Sequence, residues 1–409
     1  MAATIVPHPH AGRLPRRVRD VALGVAALGL ALTMAAQGLA EHFAVARPDL
    51  AMTLAPGFAD GTLAAADGAL ARNRTGAAIV LARRALRVEP LNAAALTILG
   101  LAFAKGGQQA RADGALGAAG AMSWRVSEAQ AWLLQRRLKE GRIDDALRHA
   151  DALLRTGEDD RLQTRLFTLL NAAAALPAAR GALVLRLGAS PPWRQAFLAQ
   201  LPASAATGVL DAMRAGPAPP TSIEFGPAIA ALITAGDFQG GAAQWALLSP
   251  LARVTGGWPH DGSFQGGADG TDFTWSTPQG AGADADIETA PGPHGGRALR
   301  VEYDGYTLAS FPRQLLVLAP GRYRLDWRQF TEAGEPNRLA WTVRCAGDGR
   351  LLGMATPGQG APGGWNAATI AFETPPGCPA QWLALTPAPG ERRQSIVVWY
   401  GAFRGRPAS

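Results

Sequence analysis

The hydrophobic pattern changes character three times along the chain. Val21 to Ala40 (VALGVAALGLALTMAAQGLA) is a run of twenty residues without formal charge. At about 1.5 Å per residue, a helix of that length crosses roughly 30 Å of hydrocarbon. From Glu41 to about Pro250, alanine and leucine recur at helical spacing between short glycine-containing breaks, which predicts a helical region. Near Val254 the period becomes two. In GRYRLDWRQF, Tyr323, Leu325 and Trp327 alternate with Arg322, Arg324, Asp326 and Arg328, as in a half-buried strand started by the Pro320-Gly321 turn. LAWTVRC repeats the pattern with Leu339, Trp341 and Val343, and RALRVEY, QLLVLAP, TIAFETP, QWLAL and SIVVWYGAF add further strands. Seven or more short strands separated by turns predict an antiparallel sandwich. The expected fold is therefore multidomain, α then β. A basic leader (1–20) precedes a transmembrane helix (21–40), a helical repeat domain (41–250) and a β-sandwich (254–406).

The helical region carries an internal period. Ala78, Ala112 and Ala146 lie 34 residues apart; Ala82, Leu116 and Ala150 follow each by four residues, and Ala85, Ala119 and Leu153 by three more. Stacked helical hairpins need small residues where their two helices touch, so a fixed period of small positions predicts a solenoid of such hairpins. Asn73, Gly107 and Gly141 keep the same phase and suit the left-handed turn between paired helices.

This pattern resembles the tetratricopeptide repeat (TPR) family. The second unit matches best, with Leu99-Gly100, Phe103, Ala112, Leu116 and Ala119; the first supplies Ala78, Ala82, Ala85 and Pro90. The third supplies Leu133, Ala146 and Ala150 but has Leu134 and Arg137 where the family favours glycine and an aromatic. The resemblance implies an α-solenoid whose groove takes a protein partner, with Gln130, Gln135 and Arg137 as residues that would face it. A late hairpin at GPAIAALITAGDFQGGAAQWALL, with Gly236 and Gly241 spaced as Gly141 and Ala146 are, looks like a further pair. The C-terminal strand rhythm is similar to the jelly-roll sandwiches of carbohydrate-binding domains, which implies a possible polysaccharide ligand.

Charge and cysteines give an address. The leader holds Arg13, Arg16, Arg17 and Arg19 against Asp20, and Glu41 follows the apolar run. That asymmetry predicts a single-pass inner-membrane protein with its N-terminus cytoplasmic and its bulk periplasmic. A cleaved secretory signal is the alternative, because Gly38-Leu39-Ala40 is an acceptable small-x-small site. With a net charge of +7, much of it in the leader, the remainder is too diffuse for nucleic-acid binding. Cys345 and Cys378 are the only cysteines. In an oxidising compartment they form a plausible disulfide, with two buried thiols as the alternative.

Catalytic signatures are missing: there is no G-x-S-x-G, H-E-x-x-H, P-loop or dinucleotide fingerprint, and the six histidines are scattered. The expectation is a non-enzymatic protein without cofactor or metal. Asp269 and Asp272 in GGADGTD invite a calcium reading, but the motif occurs once and reads better as a turn. Exposed aromatics beside polar groups make sugar platforms. Trp275, Tyr303, Tyr306, Trp365 and Tyr400, at strand ends or turns, are the candidates for a glycan face, whereas Trp327, Trp341, Trp382 and Trp399 read as packing. The two leading expectations are an envelope or exopolysaccharide scaffold that grips a protein through the repeats, and a lectin-like protein acting through the sandwich. An enzyme acting on polysaccharide is a third.

Overall fold

The computed structural model describes residues 16–43, 46–55, 59–157, 159–253, 257–292, 296–355, 363–388, 391 and 393–408. Residues 1–15 of the leader, and His294, lie outside them. The chain forms two compact units, Met1–Glu158 and Asp159–Ser409.

The first unit begins with α1 (Arg16–Phe43), within which Val18–Phe43 is long and apolar enough to cross a membrane or to act as a signal sequence. After α2 (Pro48–Leu54) come three antiparallel hairpins: α3 (Ala59–Ala71) with α4 (Thr75–Val88), α5 (Ala93–Lys105) with α6 (Gln109–Met122), and α7 (Ser127–Lys139) with α8 (Ile143–Thr156). The first helices start 34 residues apart, at Ala59, Ala93 and Ser127, and so do the second helices, at Thr75, Gln109 and Ile143. Each hairpin turns through a left-handed residue: Asn73 (φ 56°), Gly107 (φ 72°) and Gly141 (φ 70°). Asn92 starts α5 by accepting the Ala95 N–H at 2.9 Å, which satisfies one donor of its open first turn.

Small side chains set the spacing between these helices. Ala78, Ala82, Ala85, Ala112, Ala119, Ala146 and Ala150 are buried, as are Leu99, Phe103, Leu116 and Leu133. Pro90 is exposed in the α4–α5 loop. Gly100 lets α6 approach: a Cβ there would lie 2.5 Å from Leu116 Cγ. Gly120 does the same for Leu133 of α7.

The second unit opens with helices that lose the 34-residue period: α9 (Asp160–Ala175), α10 (Pro177–Gly188), α11 (Arg194–Leu198), α12 (Ala203–Arg214), α13 (Ser222–Thr234) and α14 (Phe238–Leu248). The α13–α14 pair turns through Gly236 (φ 85°), like the earlier hairpins. The strands follow as β1 (Gln279–Gly280), β2 (Ala283–Thr289), β3 (Arg297–Tyr303), β4 (Arg313–Leu316), β5 (Gly321–Ala333), β6 (Leu339–Cys345), β7 (Leu351–Ala355), β8 (Asn366–Thr374), β9 (Gln381–Pro387) and β10 (Ile396–Pro407). All pair antiparallel, in a six-stranded sheet of order β1-β2-β3-β10-β5-β8 and a four-stranded sheet of order β4-β9-β6-β7.

Inward residues of both sheets share one core. Leu299, Val301, Leu325, Trp327 and Ile370 come from the larger sheet, and Trp341, Val343, Leu383 and Leu385 from the smaller. That makes the region a sandwich. Its alternation also fixes the outer face: with Leu325 and Trp327 inward, Arg324, Asp326, Arg328 and Phe330 on β5 point away from the core. Cys345, at the end of β6, is disulfide-bonded to Cys378 in the turn before β9, with Cα atoms 5.6 Å apart. A carboxylate ties helices to sandwich within this unit. Asp269 accepts hydrogen bonds from Trp245 Nε1 of α14 (2.8 Å) and from Ser249 Oγ (2.6 Å).

Candidate functional site

The five candidate aromatics separate sharply. Trp275, Tyr303 and Tyr400 are buried, so their assignment to a glycan face is corrected. Trp275 folds into the sandwich, donates to the Asp261 carbonyl at 3.1 Å and meets Trp341 edge-on at 5.7 Å. Tyr303 shares the inward register of Leu299 and Val301, and Tyr400 that of Val398. Burial drives the Tyr400 hydroxyl pKa well above its ordinary value. Tyr306 is 51% exposed, under the Arg393 guanidinium at 5.9 Å, and lies away from the other aromatics on a turn held by Asp304.

Trp365, immediately before β8, is half-buried on the outer face of the larger sheet. Its ring rests beside Gly401 of β10, where the missing side chain leaves room, and Phe330 of β5 flanks it at 5.9 Å. Its Nε1 donates to the Pro291 carbonyl at 3.0 Å, which fixes the ring's orientation. The row beneath it is short-chained except for Arg328: Gly401 pairs with Arg328, and Arg328 with Ala367, while Ala298 lies beside Gly401. A β-bulge between Gly401 and Arg404, with Ala402 at φ 54°, bends β10 at this point.

Two hollows meet at Trp365 and Arg328. The first, about 240 Å³, is lined by Ser263, Gln265, Arg297, Arg328 and Trp365 over a floor of Ala298 and Gly401. The second, about 400 Å³, is lined by Gly292, Arg328, Phe330, Gly364 and Trp365 over Ala367. The arrangement is an aromatic surface bordered by hydrogen-bond donors, suited to a polar ligand with an apolar face. Among the described residues, no group of three or more His, Cys, Asp or Glu could hold a metal ion.

Other predicted positions have structural partners. Besides the bonds from Trp245 and Ser249, Asp269 receives the Thr271 N–H at 3.0 Å and the Thr271 hydroxyl at 2.7 Å. Burial pushes its pKa up, but hydrogen bonds from Ser249, Thr271 and Trp245 outweigh this and hold the carboxyl below its ordinary value. Asp272 pairs with Arg313 at 3.4 Å. GGADGTD is thus a hydrogen-bonded corner rather than an open cation loop.

In the repeats, Gln130 is corrected from a groove residue to a buried one. Its amide donates to Ser123 O at 3.0 Å, and its oxygen accepts from His149 Nδ1 at 2.6 Å. Arg137 pairs with Glu140 at 2.7 Å, and Gln135 is exposed beside a hollow of about 340 Å³. Trp132 forms part of that hollow and donates to Asp113 at 3.0 Å; Arg136 pairs with both Asp113 and Glu140. Most charges there satisfy one another.

No protein-family model matches the sequence, and no curated protein matches it. Solved structures do. The chain is similar to the CBM22-1 xylan-binding domain from Paenibacillus barcinonensis Xyn10C, at 16% identity and TM-score 0.25, over 33% of this chain and 87% of that one. It is similar to the carbohydrate-binding module CBM6cm-2 from Cellvibrio mixtus lichenase 5A, solved with cellotriose, at 16% identity and TM-score 0.21, over 32% and 92%. A β-1,3-glucan-binding CBM6 from Bacillus halodurans aligns at 19% identity and TM-score 0.21, over 30% and 88%.

Sequence reasoning found Trp365 but missed Arg297, Arg328, Gln265 and Phe330 as its surroundings. The signal for two of them was present. The alternation of GRYRLDWRQF puts Arg328 and Phe330 on the outward face together, and the glycine in WYGAF marks where another ring can lie on the sheet.

Proposed function

We propose that this is a non-enzymatic carbohydrate-binding protein that holds a glycan on the outer face of its sandwich while its N-terminal helix keeps it in a membrane. The observation that carries the reading is the half-buried Trp365 ring between two donor-lined hollows. A pyranose offers an apolar C–H face and a rim of hydroxyls, so it needs both a flat ring and directed donors. Gln265, Ser263 and the arginines supply those donors. Val18–Phe43 supplies the anchor, with the arginines before it favouring a cytoplasmic N-terminus and a periplasmic sandwich. The hairpins between would act as a spacer and scaffold.

The test is glycan affinity electrophoresis of the full chain with Trp365→Ala and Trp365→Phe variants. Trp365→Ala is expected to weaken retardation by about tenfold or more, since losing the apolar area that a large side chain buries costs on the order of 1.5–3 kcal/mol. Trp365→Phe should retain part of the binding. Equal retardation of all three proteins, at unchanged melting temperature, would overturn the reading.

A second reading keeps a TPR-like role for the hairpins in gripping a protein partner. It is favoured by the hollow beside α7, where Trp132, Gln135 and Lys139 face a space of about 340 Å³. Crosslinking from a photoreactive residue at Gln135 tests it; absence of any discrete protein adduct in envelopes counts against it.

A further inference from the structure

The charge around Trp365 narrows the ligand. Arg297 and Arg328 both line the first hollow, and Arg328 also lines the second. Among the described residues, none lining either hollow is Asp or Glu. The carboxylates that share Arg328's strand and face are already occupied. Asp326 pairs with Arg324 at 2.7 Å and with Arg406 at 3.3 Å, and Glu332 accepts Trp399 Nε1 at 2.7 Å. Among the described residues Arg328 has no ion-pair partner, and Arg297 is tied only to the Ile287 carbonyl, at 3.1 Å. Neutral sugars are gripped through hydroxyls that both give and accept protons, whereas arginine offers only donors in a fixed fork that matches an anionic group. Glu288 of β2 stands opposite Ala298 on the same outer face but lines neither hollow. Two guanidinium groups therefore reach the hollows with no carboxylate among the described lining residues, an arrangement suited to a ring that brings its own negative charge.

We infer that the sandwich binds an anionic polysaccharide: Trp365 takes the sugar face, and Arg328 and Arg297 hold acidic groups of rings in the adjoining hollows. The inference rests on the carbohydrate-binding reading and names its ligand class. Carboxylate and sulfate present the same chemistry to arginine, so the test carries an arm for each.

Full-length protein is titrated at low and high salt against polygalacturonate, dextran sulfate and neutral xylan. Controls are Arg328→Gln, Trp365→Ala and Arg350→Gln, the last an exposed arginine near β7 in the other sheet. Wild type should bind one of the two anionic polymers about tenfold more tightly than xylan, and the preferred polymer identifies the acidic group. Arg328→Gln should erase that preference by weakening polyanion binding far more than xylan binding, and Arg350→Gln should change neither. Equal affinity for xylan and the polyanions overturns the inference and spares the carbohydrate reading. An equal loss in Arg350→Gln also overturns it, by showing diffuse attraction. Binding to none of the polymers in a Trp365-dependent way overturns the carbohydrate reading itself.

Discussion

At the scale of single residues, buried polar groups show how little freedom the hairpins leave. His149 of α8 is buried with its Nδ1 donating to Gln130 of α7, and Trp124 lies over it at 5.5 Å. Burial, helped by the nearby Arg137 and Arg148 charges, pushes its pKa down to about 4. The unfolded chain therefore takes up a proton near pH 6.5 that the folded chain refuses until about pH 4. Stability from this site is complete above pH 6.5 and is lost as pH falls toward 4. Melting temperatures measured from pH 7 to 4.5 should decline more steeply for the wild type than for His149→Gln; parallel slopes would refute the assignment. The same residue shows what sequence could and could not disclose. Gln130 is polar and on a first helix, so local pattern puts it at the groove; only the approach of α8 reveals that its amide is needed inside. Tyr303 and Tyr400, by contrast, are misassigned to the glycan face although the signal against it is in the sequence, because period two places them with Leu299 and Val398. Trp275 has no such signal, since it lies outside a strand and reaches the core by a tertiary fold of its loop.

Helices and strands were read most securely where a local rule repeats. The 34-residue spacing of alanines corresponds to helix starts at the same interval because each alanine marks a point of closest helix approach. Glycine at such a point is more demanding than alanine. At Gly100 a methyl group would sit 2.5 Å from Leu116 Cγ, and Leu116 is itself fully buried. Gly100→Ala should therefore destabilise the first unit by about 1–3 kcal/mol despite alanine's better helix propensity. Chemical denaturation read by far-UV circular dichroism checks this, and a variant as stable as wild type would show that α5 and α6 can separate freely. After Glu158 the helices stop obeying the period, and their packing was not legible, because no fixed spacing of small residues constrains it. On the sheet, alternation gave the faces but not the hollow at Trp365. That hollow depends on Gly401 lying in register with Arg328 on a neighbouring strand, information that exists only once strand order is known.

For the molecule as a whole, the question is what makes the sandwich a dependable platform at the end of a helical chain. The disulfide between Cys345 and Cys378 closes 33 residues of it, worth about 3–4 kcal/mol by loop-closure entropy. The attachment of α14 is subtler. Trp245 and Ser249 bond to Asp269, and the Trp245 ring also meets His260 edge-on at 4.7 Å and Phe273 at 5.4 Å. A charged acceptor receiving several buried donors is strong, and removing it leaves those donors without a partner. Asp269→Ala should thus cost about 1–3 kcal/mol and, more tellingly, split the unfolding of the second unit into two steps. Helical signal at 222 nm is expected to fall before tryptophan fluorescence of the sandwich core changes. Because the folded Asp269 pKa is held low, wild type should approach this behaviour only in strong acid, once pH falls below the ordinary carboxylate value and through the folded one. If the second unit of Asp269→Ala instead melts in a single transition at the wild-type midpoint, the carboxylate is not what couples α14 to the sheets, and the aromatic contacts of Trp245 must carry that coupling alone.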